Sequence, residues 1–275
     1  MLTSILKCVP ARSLWLCVIC VLTTSTLASA QGLVWNLPDS GTGVKYTGDY
    51  RQVTYRPQST QGDLSLEWRR TMEIRCLARE MADYQGENAA CVWLEYEVVT
   101  GQQVDGNLES GPGGTRIYKV LVPESAINGL EFFQAKVPNA FVPVVKGFQK
   151  IGEGEVEEFK HPVLQIFPVL SQVFLNEKLT VAGTESVSVT AGQYDAQKLE
   201  CQSAIEDPQS RTTNTSQVWV ADDIPFGTVQ WKVRIDREVK TAADTRDQFR
   251  KHSEISIDMQ AAQLIENVTS KISTP

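Results

Sequence analysis

The chain has 275 residues, of which 42% are hydrophobic, and it carries 26 Lys and Arg against 33 Asp and Glu, a net charge of −7. This length allows one large domain or two small ones. An acidic surface repels phosphate backbones and anionic membranes, so nucleic-acid binding and simple electrostatic lipid binding are disfavoured.

The first 30 residues have the features of a secretory signal peptide. Lys7 and Arg12 precede an apolar run over residues 14–22. Residues 28–30 then read Ala-Ser-Ala, a signal-peptidase site. The apolar run is much shorter than the roughly 20 residues of a membrane anchor. We therefore expect a protein of the periplasm or a secreted protein, cut after Ala30, with no transmembrane segment after cleavage.

Alternation of apolar and polar residues predicts antiparallel β-strands along most of the mature chain. The longest alternation places Trp68, Met72 and Cys76 on one inward face, which Arg70 interrupts. Arg70 could mark a ligand pocket, but we expect it to lie at a sheet rim and to extend to water. The predicted strands are Val44–Tyr55, Leu64–Ala78, Ala90–Val99, Arg116–Val122, a hairpin over Thr184–Ile205, Gln217–Ala221 and Val229–Ile235.

Between these strands the sequence predicts two polar loops and one helix. Gly101–Gly114 is rich in glycine, but it lacks the lysine followed by Ser or Thr of a phosphate-binding loop. Ser210–Ser216 is a second polar turn. Val163–Leu175 has apolar residues at helical spacing, including Ile166, Leu170 and Phe174, and predicts an apolar helix.

The predicted fold class is mainly β, with a curved antiparallel sheet, a half-barrel or open barrel, and this helix packed on its inner face. Residues 31–250 would form a single β-domain, or two halves over 31–150 and 151–250. Residues 251–275 are expected to form a partly disordered C-terminal tail, with a candidate helix over Ala261–Val268.

The cysteine pattern leaves several disulfide arrangements open. Three of the six cysteines fall within the signal peptide, so the mature chain keeps Cys76, Cys91 and Cys201 in an oxidising compartment. Cys76 and Cys91 flank a predicted hairpin turn, which slightly favours their pairing, although they point to opposite sides unless a bulge intervenes. A bond between Cys76 and Cys201, and three free thiols, are the alternatives.

No arrangement of residues typical of an enzyme is recognisable. The two histidines, His161 and His252, have no second ligand at metal-binding spacing, and nucleophile, metalloprotease and dinucleotide motifs are missing. The acidic run over Glu153–Glu158 could supply paired carboxylates for a hydrolase, but such charge runs are usually solvated. We therefore expect no catalytic residue, no metal site and no cofactor.

Residues 183–233 resemble a family of uncharacterised exported bacterial β-proteins. The resemblance rests on turn glycines and on alternating apolar positions. The matching residues are Gly183, Glu185, Val187, Val189, Ala191, Gly192, Tyr194, Asp195, Ala196, Lys198, Leu199, Glu200, Trp219, Val220, Ile224, Pro225, Gly227 and Val229. The resemblance implies a curved sheet similar to the half-barrels of periplasmic lipoprotein carriers, which wrap around helices and can leave an apolar cavity. It implies no catalytic residues.

Three functional hypotheses follow. The first is a non-enzymatic envelope protein that binds a lipid or another apolar small molecule in a cavity between sheet and helix. The residues expected to line that cavity are Trp68, Met72, Ile166, Leu170, Phe174 and Trp231. The second is a structural or partner-binding envelope protein with a filled core, which would bind another envelope protein through its outer face or an edge strand. The third is a hydrolase.

Overall fold

The computed structural model describes residues 33–128, 142–164 and 179–273. These residues form fourteen β-strands, one short helix, α1 (Glu124–Asn128), and a 3-10 turn over Arg246–Gln248. The strands are β1 (Thr42–Thr54), β2 (Leu64–Tyr84), β3 (Glu87–Val104), β4 (Asn107–Ser110), β5 (Arg116–Pro123), β6 (Val142–Pro143), β7 (Lys146–Ile151), β8 (Glu157–Glu158), β9 (Val163–Leu164), β10 (Leu179–Val189), β11 (Gly192–Glu206), β12 (Ser210–Val220), β13 (Thr228–Val239) and β14 (Arg250–Ile265).

Twelve of these strands form one antiparallel sheet. Its order is β10-β11-β12-β13-β14-β1-β2-β3-β5-β7-β8, with β4 paired to β3, while β6 and β9 form a separate two-stranded sheet. Within the described part of the chain, β10 and β8 end the large sheet without pairing to each other, so it does not close. The prediction of a mainly β, antiparallel fold is confirmed.

Long hairpins build the middle of the sheet. The turn between β2 and β3 consists of Gln85 and Gly86, with φ angles of 58° and 86°. Positive φ at both positions matches the twist of the flanking strands, which is why this two-residue turn can join them. The hairpin carries 21 residues on β2 and 18 on β3. It supplies one wall of the core.

The inner face of the sheet, defined as the face that carries Tyr46, Met72, Tyr96, Trp231 and Met259, is fully buried at these five residues. The strand register places these residues opposite one another on neighbouring strands: Tyr46 lies opposite Met72, and Trp231 lies opposite Met259. The rings of Tyr46 and Trp231 meet edge to face with centroids 5.0 Å apart. The alternation that predicted the strands therefore produces one continuous apolar surface.

The sheet curls at its β10–β11 end. The backbone N–H of Ala191, in the turn between these strands, donates to the carbonyl of Ala261 on β14 over 3.1 Å. Two strands, β12 and β13, lie between β11 and β14 in the sheet order. The hairpin must therefore bend across their ends to make this bond.

Several segments predicted as loops or tail are strands. Ser210–Ser216 belongs to β12, and β3 continues to Val104 before pairing with β4. Residues 250–265 form β14, which pairs with both β13 and β1 near the centre of the sheet. The expectations of a partly disordered tail and of a helix over Ala261–Val268 are therefore wrong, because Ile257, Met259 and Ala261 extend the period-two pattern into the core.

The predicted apolar helix falls mostly outside the described residues. Val163 and Leu164, its first two residues, form β9 and pair with β6. Residues 165–175 are not among those described. Within the described ranges, no helix has the length and apolar character needed to cross a membrane.

Met72 and Met81 provide a matched test of the inner face, because both lie on β2 and only Met72 is buried, with 0% of its surface exposed against 58% for Met81. Met72→Ala should lower the free energy of unfolding by about 2–5 kcal/mol, since it opens a cavity in the core. Met81→Ala should change it by less than about 0.5 kcal/mol. Equal effects in urea denaturation would contradict the burial of Met72 in the core.

Candidate functional site

The predicted ligand-binding residues that the structure describes lie on the inner face, in two groups. Met72 and Trp231 are fully buried on either side of Tyr46. Tyr46 lies opposite Met72 in the sheet, and its ring meets the ring of Trp231. Trp68 is half-buried nearer the end of β2, where it packs beside Tyr50 with ring centroids 6.4 Å apart. Ile166, Leu170 and Phe174 lie outside the described residues.

Arg70 lies between these two groups on β2, and its side chain does not reach water. Only 3% of its surface is exposed. Its guanidinium carbon sits 4.6 Å from the centre of the Tyr50 ring, and its Nε donates to Thr100 Oγ1 over 2.9 Å. The expectation that Arg70 extends to water at a sheet rim is therefore wrong. The sequence showed which face Arg70 lies on, but its burial depends on neighbouring strands.

The charge of Arg70 has no balancing carboxylate among the described residues. Burial lowers the pKa of Arg70 to about 10, Tyr50 acts in the opposite direction, and the nearby Arg116 lowers it further. The group therefore stays cationic at neutral pH. Its Nη1 atom is buried and has no hydrogen-bond partner within the described chain. Burial also raises the pKa of Tyr50, against the effect of Arg70.

We call Tyr50, Trp68, Arg70, Thr100 and Arg116 the Arg70 site. A glycine loop borders it after β4. A Cβ atom added at Gly111 would lie 3.4 Å from the Trp68 ring, and one added at Gly113 would lie 3.0 Å from the Arg116 guanidinium. The backbone N–H of Gly111 donates to the Thr100 carbonyl over 2.9 Å. The loop that the sequence excluded as a phosphate-binding loop thus lies against the aromatic and cationic side chains of this site.

Two further polar atoms of the inner face lack partners. Tyr96 Oη and Trp231 Nε1 are buried, and neither has a hydrogen-bond partner in the part of the chain that the structure describes. Burial raises the pKa of Tyr96 above its ordinary value, so its hydroxyl remains a donor. A buried polar group without a partner costs about 1–3 kcal/mol of stability. Such groups are uncommon in folded proteins and call for a physical explanation.

A second charged cluster lies on the opposite, outer face and is fully paired. Arg75 donates to Glu95 over 2.8 Å and to Glu97 over 2.6 Å, and it also contacts Glu73. Glu95, with 0% of its surface exposed, accepts hydrogen bonds from the hydroxyl of Ser270 and the backbone N–H of Lys271. Because each charge has opposite-charge partners, this cluster is a structural clamp that holds the C-terminal segment on the sheet.

The open grooves of the outer face are also lined by paired charges. One groove of about 580 Å³ borders the ion pair of Arg69 with Asp49, and another of about 470 Å³ borders the pair of Lys232 with Asp258. The four carboxylates of Glu153–Glu158 are exposed. Among the described residues, no group of three or more His, Cys, Asp or Glu side chains is placed to hold a metal ion.

The predicted disulfide is not formed in the structure, where Cys76 and Cys91 are buried free thiols. A bulge after Cys76 shifts the register, so that Cys76 lies opposite Leu94 and Cys91 lies opposite Glu80. Three residues along a strand separate the two positions by about 10 Å, beyond the roughly 7 Å that a disulfide spans between Cα atoms. Cys201 is also buried.

No protein-family model matches the chain, and no curated protein matches it. Among solved structures, the chain is similar to a protein described as exported, with a YmcC-like fold, from Bacteroides fragilis, with a TM-score of 0.32 and 10% identity over 85% of this chain and 100% of that one. It is also similar to a protein described as a lipoprotein from Parabacteroides distasonis, with a TM-score of 0.34 and 12% identity over 85% of this chain and 99% of that one. Both TM-scores lie below 0.5, and neither likeness decides the function of this chain.

Glu97 should make stability depend on acid pH. Burial raises the pKa of Glu97, but hydrogen bonds from Lys271 and Arg75 outweigh it, so the pKa lies below its ordinary value of 4.5. The stabilisation is therefore complete above that ordinary value and is lost as the pH falls through the folded-state pKa. In urea denaturation between about pH 6 and about pH 3, the stability difference between wild type and Glu97→Gln should shrink with acid. Exposed Glu87→Gln on the same strand is the control, and a constant Glu97→Gln difference would contradict the assignment.

Thiol labelling tests the arrangement of the cysteines. Cys76 and Cys91 should both be alkylated when the protein is denatured without a reductant, and both should be protected when it is folded, because burial raises the pKa of each thiol and blocks access. Peptide mass spectrometry locates the labels. A peptide in which Cys76 is bonded to Cys91 would show that the oxidised protein changes register at this bulge.

Proposed function

We propose that the protein is an exported, non-enzymatic envelope protein that binds a lipid or another apolar molecule on the inner face of its sheet. The signal-like features of residues 1–30 support export to the periplasm or the outside. The single observation that carries the binding function is the pair of buried donors, Tyr96 Oη and Trp231 Nε1, which have no hydrogen-bond partner among the described residues.

These donors favour a bound molecule over a purely structural core. A core that only stabilises the fold loses free energy at each unpaired donor, so such donors are expected to be paired or replaced. A ligand with acceptor atoms and an apolar body would satisfy them while contacting Met72 and Tyr46. In this proposal the sheet acts as a half-barrel similar to those of lipoprotein carriers. Ile166, Leu170 and Phe174, which lie outside the described residues, stay predicted ligand contacts.

A second candidate, a partner-binding envelope protein, is favoured by β10. In the described sheet this strand pairs only with β11, so its other edge is unpaired. Val181 on β10 is 60% exposed. An exposed apolar edge strand can accept a strand from another protein. The hydrolase hypothesis has less support, since the carboxylates of Glu153–Glu158 are exposed.

Native mass spectrometry of protein purified from the periplasm tests the binding proposal. The intact mass should fall by the mass of a lipid-sized molecule after mild organic extraction, and extracted protein should take up an added long-chain amphiphile. Trp231→Phe, which keeps the ring but removes the indole N–H, should reduce the fraction of protein that carries the ligand.

Trp93→Phe is the matched control, because Trp93 stacks on Phe148 on the outer face with centroids 6.2 Å apart. It should leave the bound fraction unchanged. A bare polypeptide mass throughout, together with no uptake of added amphiphile, would rule out the proposal and favour binding through β10.

A further inference from the structure

We infer that the Arg70 site binds an oxyanion, and that the ligand on the inner face is an anionic amphiphile whose carboxylate or phosphate head lies at Arg70 and Arg116. This inference rests on the proposed function, which it deepens by naming the chemical class of the ligand.

Arg70 has no carboxylate partner among the described residues. A buried cation normally has an anionic partner, because removing an unpaired charge from water is costly. Arg75 on the same strand obeys this rule with three carboxylates. Arg70 does not: its contacts among the described residues are an aromatic ring, a hydroxyl and the electrostatic influence of another cation. The missing partner is therefore an anion.

Arg116 is a second cation on the inner face. It lies on β5 opposite Val98 of β3, and Val98 lies opposite Met72 of β2, two residues from Arg70 along the inner face. Arg116 is exposed, and no ion pair joins it to a carboxylate in the described ranges. Two neighbouring guanidinium groups repel each other, and an oxyanion between them removes this repulsion through charge-assisted hydrogen bonds. The buried Nη1 of Arg70 supplies one unused donor.

The surroundings of the site indicate an amphiphile. Trp68 and Tyr50 place aromatic surface beside the arginines, and Met72 continues the same face one step further along β2. Beyond Met72 the apolar surface continues through Tyr46 to Trp231. A hydrocarbon chain attached to a head group at Arg70 would lie along this face, where it would have to replace the packing that now buries Met72, Tyr46 and Trp231. A free inorganic anion would use the arginines but not this surface.

A binding series with extracted, full-length mature protein tests the inference. The probes are hexadecanoic acid, hexadecan-1-ol and inorganic phosphate, measured by native mass spectrometry and by calorimetry. Wild type should bind the acid about tenfold or more tightly than the alcohol, the size expected for hydrogen bonds between charged groups. Inorganic phosphate alone should bind more weakly than the acid.

Substitutions of single arginines show which residues produce the preference for the acid over the alcohol. Arg70→Met should abolish the preference for the acid, and Arg70→Lys should retain part of it. Arg116→Gln, at an exposed position where folding is not at risk, should reduce the preference several-fold. Arg69→Met is the matched control, since Arg69 is adjacent on β2 but lies on the outer face, where it pairs with Asp49. It should keep the wild-type preference.

The outcomes separate the two proposals. Equal affinity of wild type for the acid and the alcohol would overturn the oxyanion inference and leave the proposed function standing. Binding of phosphate alone, with no uptake of either hexadecyl probe, would overturn both the amphiphile assignment and the proposed function. An acid preference that survives in Arg70→Met and Arg116→Gln would place the head group elsewhere and overturn the inference.

Discussion

The structure depends on the burial of one face of a large sheet whose end strands, β8 and β10, do not pair with each other in the described part of the chain. Along each long strand, side chains alternate between this inner face and the outer face, so a residue's face decides whether its polar atoms need a protein partner or can reach water. The outer face satisfies its charges with ion pairs, such as Arg234 with Asp236 at 2.8 Å. The inner face contains Arg70, Tyr96 and Trp231, each with a buried polar atom that has no hydrogen-bond partner among the residues the structure describes. The proposed ligand follows from this difference between faces.

Two arginines of β2, Arg70 and Arg75, show the difference clearly. Both are 3% exposed. Arg75 is surrounded by carboxylates, which it links to the C-terminal segment, and it therefore acts as part of the fold. Arg70 contacts Tyr50 and Thr100 instead. A buried charge without a counter-ion reduces stability, and proteins accept such losses mainly at functional sites.

The sequence predicted strand type and facing better than strand order. Period-two alternation correctly placed Trp68, Met72 and Trp231 on the inner face, and it placed Arg70 there too. It could not show that β1 and β14 pair across about two hundred residues of chain, because local alternation carries no information about distant partners. This pairing puts Ile257 and Met259 in the core, where a tail was expected. It also could not show the bulge after Cys76, which separates that residue from Cys91. Whether Arg70 lies at a rim or in the interior depends on such long-range pairing.

The most direct test of this account is the free energy of unfolding of ligand-extracted Arg70→Met relative to wild type. If the charge of Arg70 is uncompensated without ligand, an apolar side chain of similar length should leave stability unchanged or raise it by about 1–4 kcal/mol. Arg75→Met leaves the buried Glu95 without its arginine partner, so it should lower the free energy of unfolding by about 3–5 kcal/mol. A comparable loss in Arg70→Met would show that Arg70 is a paired structural residue and would contradict the account.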